Sequence, residues 1–167
     1  MNESYAEAGV KREKTMKSHL AKGGLIAAVV VVFFIGTLFL GTIGSFISAI
    51  MLVGCIYLFP RFNVEYEYIY CDGQLDFDRI TGNSKRKNVL RIDFEKVEMV
   101  APVNSHALDN YKHMNLVTKD FTSLKPDAKV YAIICRAERE NLKILFEPSE
   151  KMLGCIKQKT PRKISEV

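Results

Sequence analysis

Between Gly23 and Pro60 the sequence has no charged residue, and Lys22 and Arg61 stand at the two ends of that gap. Such a stretch cannot form the surface of a protein dissolved in water. Cysteine is scarce too. Cys55, Cys71, Cys135 and Cys155 are scattered and form no Cys-x-x-Cys pair, so in a cytoplasmic domain they read as reduced thiols, mostly core residues. Histidine is limited to His19, His106 and His113. Asp109 lies between the last two, but no third and fourth ligand stands at the tight spacing that zinc needs. There is no Gly-rich phosphate loop, no Gly-x-Ser-x-Gly and no His-Glu-x-x-His. No nucleophile with its base can be assembled from the sequence order, and no internal repeat is visible. The expectation is a protein that is not an enzyme and carries no cofactor or metal.

What fills the uncharged stretch is Ile, Val, Leu and Phe, dense over Leu25–Leu40 and Ile43–Phe59. As one helix, the 38 residues from Gly23 to Pro60 would reach about 57 Å. The hydrocarbon core of a bilayer is about 30 Å thick. Two spans joined by a tight turn fit that thickness. The turn is expected in Gly41-Thr42-Ile43-Gly44-Ser45, because each glycine lowers helix propensity by about 1 kcal/mol relative to Ala. The spans are then about Gly24–Leu40 and Phe46–Phe59. The second is short, so tilt or local thinning must absorb the mismatch; a re-entrant hairpin is the alternative.

Lys11, Arg12, Lys14, Lys17 and Lys22 precede the first span, Arg61 follows the second, and the turn has no cation. Positive flanks stay on the cytoplasmic side, so both termini are predicted to be cytoplasmic at the cell membrane. The run is too long for a signal peptide, and Glu3, Glu7 and Glu13 precede it. No charge lies within the spans, which argues against an ion or proton pathway. Gly36, Thr37, Gly41, Ser45, Ser48, Ala49 and Gly54 are small enough for close helix contact in lipid. They pack the hairpin on itself or support a homo-oligomer.

From Arg61 onward the chain has 19 Lys/Arg against 16 Asp/Glu. That excess is too small and too dispersed for nucleic-acid binding. Val64–Tyr70 alternates, with Val64, Tyr66, Tyr68 and Tyr70 on one face. Asp72-Gly73 is a hairpin signal. Leu75–Asp78 alternates with Leu75 and Phe77 inward, and Thr81-Gly82-Asn83-Ser84 is a second turn. Lys87–Phe94 and Val97–Val100 complete a predicted meander of four strands. Residues Asn104–Asn115 are polar and irregular. Leu116–Phe121, Lys129–Arg136 and Leu142–Phe146 read as the fifth, sixth and seventh strands. A helix starts at Pro148 or Ser149, with Met152, Leu153 and Ile156 as its apolar stripe, and Pro161 ends it.

Seven strands and one closing helix is the order of a pleckstrin-homology-like barrel. The chain resembles bacterial membrane proteins in which a two-span hairpin precedes such a domain. The resemblance lies in Glu67-Tyr68 with Ile69–Ile80, in Lys85-Arg86-Lys87, in Ile92–Glu98, and in Phe146-Glu147-Pro148-Ser149 before the helix. It implies an α+β protein: a basic N-terminal segment over 1–22, a transmembrane hairpin over 23–60, a PH-like seven-strand barrel or sandwich closed by a helix over 61–161, and a tail over 162–167. It does not fix function, because such barrels host lipid binding, peptide binding and scaffolding.

The densest cationic patch in the domain is Lys85-Arg86-Lys87, with Arg79 and Arg91 expected near the same turn. It reads as a candidate site for anionic lipid headgroups, where each cation contributes about 1 kcal/mol; the plain alternative is a solvated turn. The family's eukaryotic phosphoinositide pattern sits in the first hairpin, here read as the acidic Asp72-Gly73 turn. Lys157, Lys159, Arg162 and Lys163 form a second basic group, whose lysines complement a helix dipole. Asp76 and Asp78 are expected on the solvent face of their strand. The resulting expectation is a non-enzymatic, membrane-anchored module that binds a protein segment, anionic headgroups or its own copies. The rival expectation is a small accessory subunit of a transport or secretion complex, with an integral membrane protein as partner.

Overall fold

The structure is a computed structural model and describes residues 4–13, 16–59, 63–82, 85–136 and 140–165. Lys14, Arg61 and the Asn83-Ser84 half of the second predicted turn lie outside the described residues. The chain divides into two compact units, one holding the strands and the closing helix, the other the helix pair.

The helix pair consists of α1 (Met16–Leu40) and α2 (Thr42–Leu58). The break between them is one residue, Gly41, with φ +61°, a left-handed conformation open chiefly to glycine. At 25 and 17 residues the helices are about 37 and 25 Å long. By length and composition one helix, His19–Leu40, suffices to cross a membrane, and Thr42–Tyr57 is a shorter apolar helix. Only 6% of the first helix's most apolar window is buried, unlike the core helix of a water-soluble fold. The helices meet at small residues. A Cβ on Gly44 would stand 2.1 Å from the carbonyl carbon of Gly36, so the two backbones touch there. Beside that contact the hydroxyls of Thr37 and Ser45 are 3.2 Å apart.

The described residues of the other unit form eight strands in two four-stranded sheets. The first has the order β1 (Tyr5–Lys11), β2 (Val64–Cys71), β3 (Gln74–Thr81), β4 (Lys85–Asp93). The second has the order β5 (Val97–Pro102), β7 (Tyr131–Arg136), β8 (Asn141–Phe146), β6 (Leu116–Asp120). A helix pair with β-sheets after it is consistent with a PH-like α+β fold, but the described residues form eight strands where seven are expected, because β1, before the helices, joins the first sheet. Each sheet keeps two edges, β1 and β4 or β5 and β6, so strand pairing does not close a barrel among the described residues.

Two features depart from the predicted meander. The strand at Val97 joins the second sheet, antiparallel to β7. The chain turns the corner through a 3-10 turn at Phe94–Lys96, where Asp93 accepts from the Glu95 amide at 2.9 Å. The fourth place in the first sheet is taken by β1, which precedes both helices and runs antiparallel to β2 from Tyr5↔Cys71 to Lys11↔Glu65. β1 alternates as a half-buried strand should: Ala6 is fully buried, Ala8 and Val10 are half-buried, and Tyr5, Glu7, Gly9 and Lys11 are exposed.

The core between the sheets is aromatic. Phe77 stacks on Phe121 with centroids 4.7 Å apart and meets Tyr68 and Phe146 edge-on. These offset and edge geometries are the favoured ones. The buried Tyr68 hydroxyl donates to the Phe121 carbonyl, and burial pushes its pKa upward. The segment read as irregular includes a 3-10 turn at His106–Tyr111, capped by Ser105, with Leu108 buried. The strand at Leu116 pairs parallel to β8. Helix α3 (Glu150–Lys159) starts as expected, with the Ser149 hydroxyl accepting from the Met152 amide at 3.2 Å. It buries Met152 and Ile156.

Candidate functional site

On the outer face of the first sheet, side chains from all four strands converge on Arg86. Its Nε donates to Asp78 at 2.6 Å, and its Nη2 lies 2.9 Å from Glu67. The Glu67 contact is an ion pair set off the hydrogen-bond direction. Asn88 donates to the other Asp78 oxygen at 2.8 Å. From β1, Tyr5 donates to Glu7 at 2.8 Å, and Glu7 is hydrogen-bonded to Glu67. The two carboxyl groups shift each other in opposite directions. The Glu67 pKa is raised, first by the bond to Glu7 and then by desolvation, against the pull of Arg86. Glu7 is lowered by the same bond and by the Tyr5 hydroxyl.

Asp78 is therefore not on an open solvent face, as its alternation with Phe77 predicts. It is 8% exposed, because Arg86 and Asn88 cover it. Asp76 is half-buried and its two carboxylate oxygens accept from Arg91 Nε and Nη2, at 2.5 and 2.9 Å.

The five predicted headgroup cations therefore divide into two kinds. Arg86 and Arg91 are held by carboxylates. Lys85, Lys87 and Arg79 are exposed and form no ion pair with a described residue. Lys85 and Arg91 lie six positions apart on β4, about 20 Å along an extended strand, and alternation turns Lys85 and Lys87 to the face opposite Arg86, so the five cations do not form one patch.

A second constellation surrounds Arg12, just past β1. Its Nη1 donates to the Tyr66 hydroxyl at 2.9 Å and to the Asp120 carbonyl at 3.3 Å, and Nη2 is 3.5 Å from the Asp120 carboxylate. Its Cζ stands 5.6 Å from the centroid of the Tyr66 ring. Sequence reasoning counted Arg12 among the membrane-flanking cations and missed both this grip and the Glu7–Glu67 pair. The period-two pattern of Ala6, Ala8 and Val10 was the available signal.

An open cleft of about 300 Å³ lies among Asp72, Gly73, Phe94, Glu95, Lys159 and Lys163. Both of its lysines are engaged. Lys159 pairs with Asp72 at 2.7 Å, and Lys163 donates to the carbonyls of Phe94 and Glu95. Among the described residues no three His, Cys, Asp or Glu side chains gather as a metal site. Cys135 is buried, which pushes its thiol up to about 11 and keeps it from acting as a nucleophile near neutral pH.

Residues 2–166 match the family described as bacterial PH-like domain, DUF6106. The chain belongs to that family. No curated protein and no solved structure matches it. In this PH-like domain the first hairpin of the first sheet is β1–β2, and what connects its strands is the helix pair itself. The Asp72-Gly73 turn is the next connection along, between β2 and β3. The turn read from sequence as the first hairpin is thus the second, since the strand before it lies on the far side of the helices. PH-like domains are generally non-catalytic, and the apolar N-terminal helix is consistent with a membrane anchor.

Proposed function

We propose that this PH-like protein is a non-enzymatic interaction module, held at the cytoplasmic face of the cell membrane by two spans, with both termini cytoplasmic. Its targets are a protein segment, anionic lipid headgroups or another copy of itself. One observation carries the reading: a helix pair that leaves nearly all its large apolar side chains exposed, Phe34, Leu38, Phe39, Phe46 and Ile50 among them, is continuous with a domain whose clustered charges neutralise one another. The first feature calls for lipid or an apolar partner. The second supplies, among the described residues, no convergent, unpaired titratable groups of the kind catalysis needs. Lys85 and Lys87, exposed and unpaired among the described residues, are the cations free to meet headgroups. Tethering raises their effective concentration there, so weak contacts suffice.

Purification of the full chain from membranes by a C-terminal tag tests the reading. Recovery in the membrane fraction, with salt-sensitive retention on anionic lipid or a substoichiometric protein partner, supports it. Recovery in the buffer-soluble fraction sinks it. The helix pair also carries two largely apolar grooves of about 250 and 330 Å³, one along Ile35, Gly36 and Gly44, the other along Phe33, Ser48 and Leu52. They favour a second reading, an accessory subunit of a transport or secretion complex. A stoichiometric integral-membrane partner in mild detergent would select it.

A further inference from the structure

We propose that β1 and β2 form a clasp across the membrane segment: their ladder holds both flanks of the helix pair on one face of the bilayer, and the PH-like domain is complete only when α2 returns the chain to that face. The proposal rests on the reading that the helix pair lies in a membrane.

The register is continuous over seven partners, from Tyr5↔Cys71 to Lys11↔Glu65. Paired strands lie about 4.8 Å apart, so the segment between Lys11 and Glu65 begins and ends at neighbouring points. A bilayer core of about 30 Å cannot stand between them. The ladder is embedded in the domain. Ala6 is fully buried, Lys11 pairs with Glu65 at 3.6 Å, and Arg12 ties the end of β1 to Tyr66 and Asp120.

Helix α1, at about 37 Å, is long enough to cross once. A single crossing would place β2 on the far side from β1. The first sheet would then lose an edge strand, and β2 would be left with an unpaired edge. Helix α2 must therefore carry the chain back, although at about 25 Å it is short for a crossing. Hydropathy identifies one span; the strand register requires an even number. Insertion and folding are thereby coupled, because the domain is split in sequence by the segment that anchors it.

The test uses the full chain in native membranes, oxidised with a membrane-permeant catalyst, with the double variant Lys11→Cys, Glu65→Cys. Both positions are partly exposed, and losing an exposed ion pair changes stability little. An 11–65 disulfide, located by peptide mass mapping, is expected. A second variant, Gly9→Cys, is probed with a membrane-impermeant thiol reagent on sealed vesicles of each orientation, with the exposed native Cys71 as the internal reference. The introduced thiol and Cys71 are expected to label from the same face. In the double variant lacking residues 42–58, the disulfide is expected to be lost. Labelling of the Gly9→Cys thiol and of Cys71 from opposite faces, or a disulfide that persists in membranes without α2, overturns the clasp while leaving the anchor intact. Release of the chain by carbonate wash overturns the membrane reading itself, and the clasp with it.

Discussion

Arg12 and Tyr66 stand 54 positions apart in sequence, yet the guanidinium donates to the phenol at 2.9 Å and lies over the same ring. One side chain thereby fastens the strand that enters the helix pair to the strand that leaves it. Through Asp120 it also reaches the far sheet, where the Asp120 carboxylate accepts from the amide and hydroxyl of Thr122. The contact marks where the domain is joined across its long insertion.

Replacing Arg12 by Ala should therefore loosen β1 first. The hydrogen bonds to Tyr66 and Asp120 are partly exposed, so the expected loss is about 1–2 kcal/mol. Arg12→Lys should recover only part of it, because a lysine cannot fork between two acceptors. Thermal unfolding of the full chain in detergent measures the size of the effect. Hydrogen exchange should show the β1 amides opening before those of β7 and β8. Equal protection of β1 in the wild type and the Arg12→Ala variant would contradict the assignment.

The division among the cations of β4 gives a second prediction. Lys85→Ala with Lys87→Ala should weaken retention of the detergent-purified full chain on anionic lipid, and leave the melting temperature unchanged. Arg86→Ala should do the reverse in part. It strips Asp78 and Glu67 of their counter-ion and should lower the melting temperature of the full chain. Arg86→Lys should restore less than the full stability, because its ammonium cannot serve both carboxylates in the same fork. Vesicle retention that follows Arg86 but ignores both lysines would argue against a headgroup role for the exposed pair.

Much of the domain was legible because alternation is a local signal. β2, β3, β7, β8 and the Ser149-capped helix each reveal themselves within a few residues. Membership in a sheet is not local. β5 has the pattern of a fourth meander strand, but the Asp93-capped turn at Phe94–Lys96 redirects it, so the edge beside β4 that it would have used stays open while β1 pairs on the other side, with β2. β1 is short and rich in Ala and Gly, and its partner lies beyond the helix pair. The cations that follow it, beginning with Lys11 and Arg12, carry a topology signal that masks the alternation. Asp78 misled for a related reason. Alternation gives the face of a side chain, whereas its burial depends on Arg86 and Asn88, which reach it from the next strand.

The opposed shifts of Glu7 and Glu67 predict a pH dependence of β1 docking. Glu67 has a raised folded pKa, so its stabilisation is complete below its ordinary value of 4.5 and is lost as pH rises through the elevated folded value. Glu7 has a lowered folded pKa; its stabilisation is present above the ordinary value and is lost as pH falls through the depressed one. Their joint contribution should therefore peak between the two folded values and fall on both sides. Arg86, Asp78 and Tyr5 face the pair and set the width of that window. In Glu67→Gln the amide donates to Glu7 at every pH, so the decline on the alkaline side should vanish. Melting temperature against pH for the two proteins is the measurement; parallel curves would refute the coupling of the two carboxyl groups.

The helix pair gives the sharpest steric contrast. A methyl group on Gly44 would meet the Gly36 carbonyl carbon and oxygen at 2.1 Å and the Thr37 amide at 2.7 Å, all backbone atoms that cannot rotate away. The same change at Gly54 meets nothing within 4 Å. Gly44→Ala should therefore force α1 and α2 apart near their turn, a strain of about 1–3 kcal/mol on the overpacking scale. Gly54→Ala should be neutral or slightly favourable to the helix. Cysteines at Thr37 and Ser45, whose hydroxyls are 3.2 Å apart, report the separation directly. Thr37→Cys with Ser45→Cys should form a disulfide in the otherwise native chain and alongside Gly54→Ala, and form it poorly alongside Gly44→Ala. The comparison holds apolarity nearly constant and varies only the room for a Cβ, so equal cross-linking in all three backgrounds would show that the helices do not meet at Gly36 and Gly44.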